Sequence, residues 1–255
     1  MSKSHYVTGL RAVEQLLSTD LKGIHCIYTE SRTTNLRIEA IIKLADEKGI
    51  ETQLTNRMRL SQMSGEARHQ GVMAEIRRNK LLDEAGLRTM VEQRLMTTDN
   101  QSLLLLMLDG IQDPHNLGAC MRTADAAGVD AIIAPRHAAA GLSPTVSKVA
   151  SGAAEQIPFV TVGNLNRVLG WLADYDVRVI GTSNKADTSL YEADLSGSMV
   201  LVMGREDIGL SKSISERCDV LVNLPMAGVV SSLNVSVATG VCLYEVVRQR
   251  ALHLT

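Results

Sequence analysis

The first 78 residues alternate short apolar runs with amphipathic stretches. Three segments rich in β-branched and apolar residues are predicted strands: 24–29, 50–55 and 72–76. Two segments with apolar residues at helical spacing are predicted helices, over about 10–17 and 35–48. This pattern predicts a small α/β domain over residues 1–78. A polar linker is predicted over 79–101, with a short helix around 87–95.

From residue 102 the chain repeats a strand, a loop and a helix several times. The run 103–109 is almost continuously apolar, as in a strand buried inside a parallel sheet. Further strands are predicted at 130–134, 157–162, 177–181, 199–203 and 220–224. Helices are predicted at 116–127, from Ser143-Pro144 onward, and at 164–175, 211–218 and 232–250. The alternation predicts an α/β fold over residues 102–255, a mostly parallel sheet with helices on both faces.

The final predicted helix is apolar almost all round, which predicts burial against the sheet or a partner subunit. The chain has 255 residues, 45% of them hydrophobic, enough for one large domain or two small ones. Its longest apolar run, 103–108, is far shorter than the roughly 20 residues of a membrane span. The N-terminus leads into no apolar segment, so no secretory signal and a cytoplasmic location are expected.

The net charge of −2 conceals an asymmetry along the chain. Residues 1–80 carry 13 basic and 9 acidic side chains, whereas the rest of the chain carries 13 and 19. A basic front segment is typical of a module that contacts nucleic-acid phosphates, although a solvated basic surface has the same composition.

The sequence lacks the motifs of several common classes of protein. The cysteines form no CxxC pair, so buried free thiols are expected rather than a metal site or disulfides, at Cys26, Cys120, Cys218 and Cys242. The chain also lacks the GxGxxG, GxxxxGK[ST], HExxH and GxSxG motifs of dinucleotide-binding proteins, P-loop nucleotide hydrolases, zinc proteases and α/β-hydrolases.

Three loops that follow predicted strands carry polar residues where parallel sheets bind ligands. The first contains Asn116, a predicted helix cap, and Arg122. The second contains Glu206 and Gly204, where the missing side chain would let a ligand approach closely. The third, 224–236, brings hydroxyl groups and an asparagine next to the apolar final helix. These patterns predict a ligand-binding domain and leave its function open.

Together these loops resemble the three motifs of the SpoU family of RNA ribose 2′-O-methyltransferases, within the SPOUT superfamily. The motifs occur in order at 116–122 (Asn-Leu-Gly-Ala-Cys-Met-Arg), 203–210 (Met-Gly-Arg-Glu-Asp-Ile-Gly-Leu) and 224–238. Segments 9–13 and 69–71 resemble the branch that methylates a guanosine of 23S rRNA. Arg11 stands where that branch has a histidine.

The resemblance implies S-adenosylmethionine as cofactor, a deep trefoil knot in the C-terminal SPOUT domain, and a homodimer with its sites near the subunit interface. It also implies an L30e-like N-terminal domain that binds the RNA substrate, either 23S rRNA or a pre-ribosomal particle. A tRNA ribose methyltransferase is the nearest alternative. A non-catalytic RNA-binding or ribosome assembly factor and an unrelated α/β ligand-binding protein are the others.

The resemblance also assigns site residues. The catalytic set is Asn116, Arg122, Glu206, Ser232 and Asn234, and the cofactor-binding set is Thr182, Ser183, Gly204, Leu224, Met226 and Leu233. Because a guanidinium stays protonated near neutral pH, Arg122 is expected to anchor phosphate and ribose and to stabilise developing alkoxide charge. Glu206 would hold Arg122 or Asn116, or accept a proton. The remaining catalytic residues would orient the ribose and the loops.

Overall fold

A computed structural model describes residues 5–19, 24–31, 35–65, 69–76, 82–97, 102–137, 139–205 and 207–252. The chain divides into two units, Met1–Lys80 and Leu81–Thr255. Each unit contains its own sheet and its own apolar core.

The first unit is a small mixed α/β fold. Its elements are β1 (His5–Thr8), α1 (Leu10–Thr19), β2 (Ile24–Glu30), α2 (Leu36–Glu47), β3 (Glu51–Thr55), α3 (Arg57–Ser64) and β4 (Val72–Ile76). The strand order is β1-β4-β2-β3, and β2 and β3 pair in parallel while the other neighbours are antiparallel. The core contains Val13, Leu17, Ile27, Ile38 and Ile41. The three predicted strands and two predicted helices of this unit are confirmed.

Two elements of the first unit escaped the hydrophobic pattern. β1 has only four residues, too few to show a period. α3 buries Leu60 alone, so it has no apolar stripe. Its signals are local: the Asn56 side chain accepts a hydrogen bond from Arg59 N at one end, and Gly65, with φ +70°, follows the other.

The second unit is a larger α/β fold. Its elements are α4 (Glu84–Met96), β5 (Leu104–Leu108), α5 (Pro114–Ala126), β6 (Ala131–Pro135), α6 (Pro144–Ala150), α7 (Ala153–Gln156), β7 (Phe159–Val162), α8 (Leu165–Ala173), β8 (Arg178–Thr182), β9 (Thr188–Ser189), β10 (Met199–Met203), α9 (Lys212–Ser215), β11 (Val220–Asn223) and α10 (Val235–Leu252). In the part of the chain that the structure describes, seven strands form one sheet in the order β7-β6-β5-β10-β8-β11-β9. Every neighbouring pair is parallel, which confirms the predicted sheet type.

Helices cover both faces of this sheet. Leu104, Leu106 and Leu108 of β5 pack in the same cluster as α5 and α10, whereas Leu105 and Met107 pack with α4 and α8. Burial on both faces explains why the sequence of β5 is apolar without alternation.

The segment expected to be a linker contributes to the second unit. Its predicted helix is present as α4, which extends beyond the expected bounds 87–95. Leu87 and Val91 of α4 are fully buried in the core of the second unit. This part of the segment is therefore a packed layer and not a free spacer, while 77–81 and 98–101 lie outside the described residues.

α5 begins before the position that the sequence predicted. Asp113, and not Asn116, caps it: the Asp113 carboxylate accepts a hydrogen bond from His115 N at 2.9 Å, and Pro114 occupies the first turn. Asn116 therefore lies inside the first turn of the helix. Gly128, with φ +73°, follows the helix end as predicted.

α10 begins at Val235, later than the predicted 232, and is not buried all round. Cys242, Leu243 and Val246 are fully buried, whereas Val237 and Tyr244 are each 53% exposed. The sequence predicted burial against the sheet or a partner subunit, and the sheet and α5 cover one side of the helix. α7 and β9, of four and two residues, were not predicted.

Among the described residues, no helix is both long enough and apolar enough to span a membrane.

Candidate active site

The carboxyl ends of four neighbouring strands form one edge of the second unit's sheet. Because β5, β10, β8 and β11 are adjacent and parallel, the loops that follow them start at this edge. In strand order these loops begin at residues 109, 204, 183 and 224. The three loops selected from the sequence thus start at one edge, with the loop after β8 between the second and the third.

Asp109, the first residue after β5, fastens the first loop to the second. Its backbone N–H donates to Met203 O at 2.8 Å, and its Oδ2 accepts from Ser211 N at 2.9 Å. Asp109 is half-buried, so the loss of this acceptor would leave a partly buried N–H unsatisfied. Asp109 therefore positions the glycine loop at 204–210.

The glycine loop closes on itself. Arg205 and Gly209 exchange both backbone hydrogen bonds, at 3.0 and 2.9 Å. A Cβ at Gly204 would lie 2.2 Å from the Gly209 carbonyl carbon and 2.4 Å from Leu210 N. A Cβ at Gly181 of β8 would lie 2.8 Å from Leu210 Cδ1. Because Gly181 has no side chain, there is space for Leu210 of the glycine loop. Glycine at 204 is thus required by the backbone of its own loop, before any ligand is considered.

Thr182 and Ser183, two predicted cofactor-binding residues, are held between the neighbouring strands. Thr182 Oγ1 donates to Val202 O of β10 at 3.3 Å, and Ser183 N donates to Val222 O of β11 at 2.9 Å. The end of β8 is therefore fixed on both sides at the edge where the loops begin.

A hydrogen bond joins the first and third loops. Asn234 Nδ2 donates to Asn116 Oδ1 at 3.1 Å. Asn234 Oδ1 also accepts from Ser236 N at 2.9 Å and from Ser236 Oγ at 2.7 Å, so the same side chain caps the start of α10. The structure thus brings two residues of the predicted catalytic set into contact, although 118 positions separate them.

Gly118, inside the first motif, allows close packing of two helices. A Cβ there would lie 2.7 Å from Val149 Cβ and 3.0 Å from Val146 O, both on α6. α5 also packs against α10, where Cys120 Sγ lies 3.5 Å from Thr239 Oγ1. The glycine of this motif therefore fixes the position of α5, from which Asn116 reaches the edge.

Arg122 stands apart from the other predicted catalytic residues. It lies six residues after Asn116, about 9 Å further along the helix axis, and it is exposed. Its Nη1 lies 3.4 Å from Ser151 Oγ, and among the described residues no carboxylate is within ion-pair distance of it. No hydrogen bond within the described residues links Arg122 to Asn234 or to the glycine loop.

The third loop is largely open to solvent. Of its five predicted site residues, Leu224 and Met226 are half-buried, whereas Ser232, Leu233 and Asn234 are exposed. Val229 and Val230 of the same loop are exposed as well. Exposed apolar side chains beside polar groups are a feature of surfaces that bind a ligand or a partner.

The predicted site therefore falls into three groups. Apart from Arg122 and Glu206, the predicted site residues lie in or next to the four loops that start at one edge of the sheet. Arg122 lies further along α5. Glu206 lies outside the described residues, so its role stays a prediction. The sequence analysis did not identify the contact between Asp109 and Ser211. The signal that could have indicated Asp109 is its position as an acidic residue directly after a buried strand.

The thiols play no visible part in this site. Cys26, Cys120 and Cys242 are buried, as expected, whereas Cys218 is half-buried. Burial raises the pKa of Cys218 to about 11 and that of Cys242 to about 12, so both are protonated near neutral pH. Within the described residues, no cluster of His, Cys, Asp and Glu side chains is arranged to hold a metal ion.

Two family models match the chain, one for each unit. The SpoU rRNA Methylase family matches residues 103–244, and a model for RNA 2′-O ribose methyltransferase substrate binding matches residues 6–82. The first match covers more than half of the chain and includes all four edge loops. The chain belongs to the SpoU rRNA methylase family.

Relatives match nearly the whole length. The 23S rRNA (guanosine-2′-O-)-methyltransferase RlmB of Ralstonia nicotianae is 46% identical over 255 residues, with 99% of this chain and 98% of the relative covered. RlmB of Coxiella burnetii is 42% identical over 250 residues, with 98% of each covered. A crystal structure of an AdoMet-bound rRNA methyltransferase from Sinorhizobium meliloti superposes with a TM-score of 0.66 at 25% identity, covering 99% of this chain and 88% of that one.

Proposed function

We propose that this chain transfers a methyl group from S-adenosylmethionine to the ribose 2′-oxygen of a guanosine in 23S rRNA. The observation that carries the proposal is the edge of the second unit's sheet: Asn116 and Asn234 of two family motifs are hydrogen-bonded to each other, and the loops of all three motifs start at this edge. The substrate follows from relatives with 42 to 46% identity over nearly the full chain, which are named for this reaction.

Full-length similarity favours 23S rRNA over tRNA, the alternative with the same catalytic motifs. The match to a substrate-binding model over residues 6–82 extends the similarity to the first unit. The basic balance of residues 1–80 agrees with an RNA-binding role for this unit.

The residues at the edge fit S-adenosylmethionine chemically. Exposed Val229, Val230 and Leu233 offer apolar surface for an adenine ring, and half-buried Met226 lies in the same loop. The backbone at 204–210 and 224–234 offers donors and acceptors for the polar groups of an adenosyl moiety. Thr182, Ser183, Gly204 and Leu224 are the other proposed contacts.

The chemistry requires alignment more than acid–base power. Bound S-adenosylmethionine supplies an electrophilic methyl group on a sulfonium sulfur. Asn116, Ser232 and Asn234 would orient the ribose so that its 2′-oxygen faces the bound methyl donor. Arg122 lies about 9 Å further along α5, so its protonated guanidinium is assigned to an RNA phosphate near the ribose and not to the reacting oxygen itself. Glu206 fixes a neighbouring site residue or accepts the hydroxyl proton.

A homodimer is part of the proposal. The side of α10 that faces away from the core exposes Val237 and Tyr244, and half-buried Val241 lies between them in sequence. A second copy of the chain would cover this apolar face. Light scattering coupled to size-exclusion chromatography measures the mass in solution, and a mass of one chain would contradict the dimer.

A deep trefoil knot is proposed from the resemblance and is compatible with the order of the strands. β10 pairs between β5 and β8, so the chain enters the middle of the sheet after it has built β8. α10 then packs against α5, which precedes both strands in the chain.

The substrate is either free 23S rRNA or a pre-ribosomal particle, encountered in the cytoplasm. A non-catalytic RNA-binding or assembly factor is the alternative from a different class. Titration calorimetry with S-adenosylmethionine separates the two classes, because a factor without turnover has no need of the methyl donor.

Methyl transfer to defined RNAs tests the proposed function. Purified protein is incubated with labelled S-adenosylmethionine and either a 23S rRNA transcript, isolated pre-ribosomal particles or total tRNA. Mass spectrometry of nuclease digests then locates the methyl group. We expect one 2′-O-methylguanosine in 23S rRNA; a product in tRNA alone, or a methyl group on a base, would contradict the proposal.

A further inference from the structure

The first unit contains an open pocket of about 450 Å³ that lies entirely within its own residues. Its lining is Thr8, Gly9, Arg11, Ala12, Arg37 and Gln70. The lining joins the segments 9–13 and 69–71, which are far apart in sequence. We propose that this pocket binds a backbone phosphate of the RNA and that Arg11 is the residue that contacts it. This inference rests on the proposed RNA substrate.

The charges around the pocket single out Arg11. Arg37 donates to both carboxylate oxygens of Glu14, with Nε at 3.0 Å, so the Arg37 charge is locally compensated. Arg11 is exposed, and among the described residues no carboxylate is within ion-pair distance of it. The hydrogen bonds from Arg37 lower the pKa of Glu14, and so does the nearby Arg11 charge, but the Glu14 carboxylate is bound by Arg37 and forms no ion pair with Arg11. A guanidinium that forms no ion pair at a concave surface matches the charge and the hydrogen-bonding geometry of a phosphate.

A side-chain network holds the segment 69–71, which supplies Gln70 to the lining of the pocket. His69 is fully buried, and its Nδ1 accepts a hydrogen bond from Gly71 N at 3.1 Å. Its Nε2 must then carry the proton and donate to Ser61 Oγ, which lies 3.1 Å away. These two bonds connect the turn at 70–71 to α3.

That turn delivers Gln70 to the pocket. Gln70 and Gly71 both have positive φ, of 54° and 80°, and Gln70 Oε1 accepts from Leu10 N at 3.0 Å. Among the described residues, no acceptor lies within hydrogen-bond distance of Gln70 Nε2, so its N–H groups are available to a ligand at the surface. A Cβ at Gly9 would lie 3.2 Å from Gln70 Oε1, so glycine there leaves room for this side chain. Gln70 is a positioning residue for the pocket, and Arg11 is its proposed anion contact.

Arg11→Gln tests the proposal, with Arg57→Gln as the matched control. Arg57 is also exposed and belongs to the same unit, but it does not line the pocket. Binding of a fluorescently labelled 23S rRNA transcript to the full chain is measured by anisotropy over a range of salt concentrations. We expect Arg11→Gln to weaken binding about tenfold and to lower the slope of log K against log salt by about one, whereas Arg57→Gln has less than a threefold effect.

Two further readouts separate this proposal from the proposed function. The affinity for S-adenosylmethionine and the kcat at saturating RNA should stay at wild-type values in Arg11→Gln, while the KM for RNA rises about tenfold. Arg11→Lys, which keeps the charge, should recover most of the affinity. Equal losses in Arg11→Gln and Arg57→Gln would overturn the phosphate site even if the wild-type chain methylates 23S rRNA. A wild-type chain that binds RNA through Arg11 but transfers no methyl group would contradict the proposed function alone.

Discussion

The turn at Gly9 in the first unit and the loop at Gly204 in the second both require glycine, but different atoms impose the requirement. Beside Gly9, an added Cβ would lie 3.2 Å from the end of the flexible Gln70 side chain. Beside Gly204, it would lie 2.2 Å from backbone, which cannot rotate away. The contact at Gly9 can thus be relieved by rotation of a side chain, although φ of +98° still favours glycine there, whereas the backbone contact at Gly204 cannot be relieved in this way.

The same contrast extends to the surroundings of each turn. In the first unit, side chains arrange the pocket through the contacts of His69 and Gln70. In the second, backbone pairing between Arg205 and Gly209 arranges the glycine loop, and one carboxylate, that of Asp109, fastens it. A site that aligns a reaction needs the rigid arrangement, while a surface that holds an RNA backbone tolerates the adjustable one.

The largest expected effect is that of Gly204→Ala. The backbone of the glycine loop must move to admit the Cβ, so we expect methyl transfer to fall at least about 100-fold and S-adenosylmethionine binding to be lost. Calorimetry and methyl transfer to 23S rRNA measure the two losses. Gly163→Ala is the control, because nothing lies within 4 Å of its added Cβ. Near-normal cofactor binding by Gly204→Ala would show that the loop is not part of the cofactor site.

Asn234 has two functions that substitutions can separate. Asn234→Ala removes the cap of α10 and the bond to Asn116, so we expect a loss of about 1 kcal/mol in the free energy of unfolding and about tenfold in kcat. Asn234→Asp keeps the capping oxygen and removes the Nδ2 donor. It should retain the stability but not the activity. Fluorescence of Trp171, the single tryptophan of the chain, monitors unfolding of the second unit. Full activity in Asn234→Asp would show that the inter-loop bond is dispensable.

Gly9→Ala should have a smaller effect that is confined to RNA binding. With φ +98° at Gly9, an alanine costs about 1 kcal/mol and displaces Gln70 slightly, so we expect about threefold weaker binding of 23S rRNA. Gly49→Ala is the matched control in the same unit, because its φ is +68° and its added Cβ meets nothing within 4 Å. A loss of RNA affinity as large in Gly49→Ala would mean that general strain, and not the pocket, is responsible.

The smallest expected effect is on the pH dependence of the stability of the second unit. Hydrogen bonds from Arg248 lower the pKa of Glu245 below its ordinary value of 4.5. Its stabilising contribution is therefore present above pH 4.5 and is lost as the pH falls through the lowered pKa. We expect Glu245→Gln to cost about 1 kcal/mol or less at pH 7, and the difference from wild type to shrink at low pH. A difference that grows on acidification, followed by Trp171 fluorescence, would contradict this assignment.

Sequence patterns predicted the strands with a continuous apolar run and the helices with an apolar face. β5 is the clearest case, because a short, continuous apolar run is typical of a strand that is buried on both faces of a parallel sheet. β1 and α3 escaped because one is too short and the other buries a single leucine. The start of α5 was misplaced because Asp113 and Asn116 are both good capping residues, and only the backbone conformation distinguishes them.

The sequence could predict which loops form the site, but not the hydrogen bonds that join them. Polar loops after parallel strands must meet at one edge, so the sequence could place the three motifs together. The hydrogen bonds that join them span 102 positions between Asp109 and Ser211, and 118 between Asn116 and Asn234. No local pattern encodes such contacts, because they depend on which strands become neighbours.

Hydrogen–deuterium exchange with and without S-adenosylmethionine tests the central claim most directly. The claim is that the glycine loop and the third loop form one cofactor site at the edge of the second unit's sheet. We predict slower exchange of the backbone amides at 204–210 and 224–234 together, and unchanged exchange in residues 5–76. Protection of only one of these loops, or protection confined to the first unit, would contradict the account.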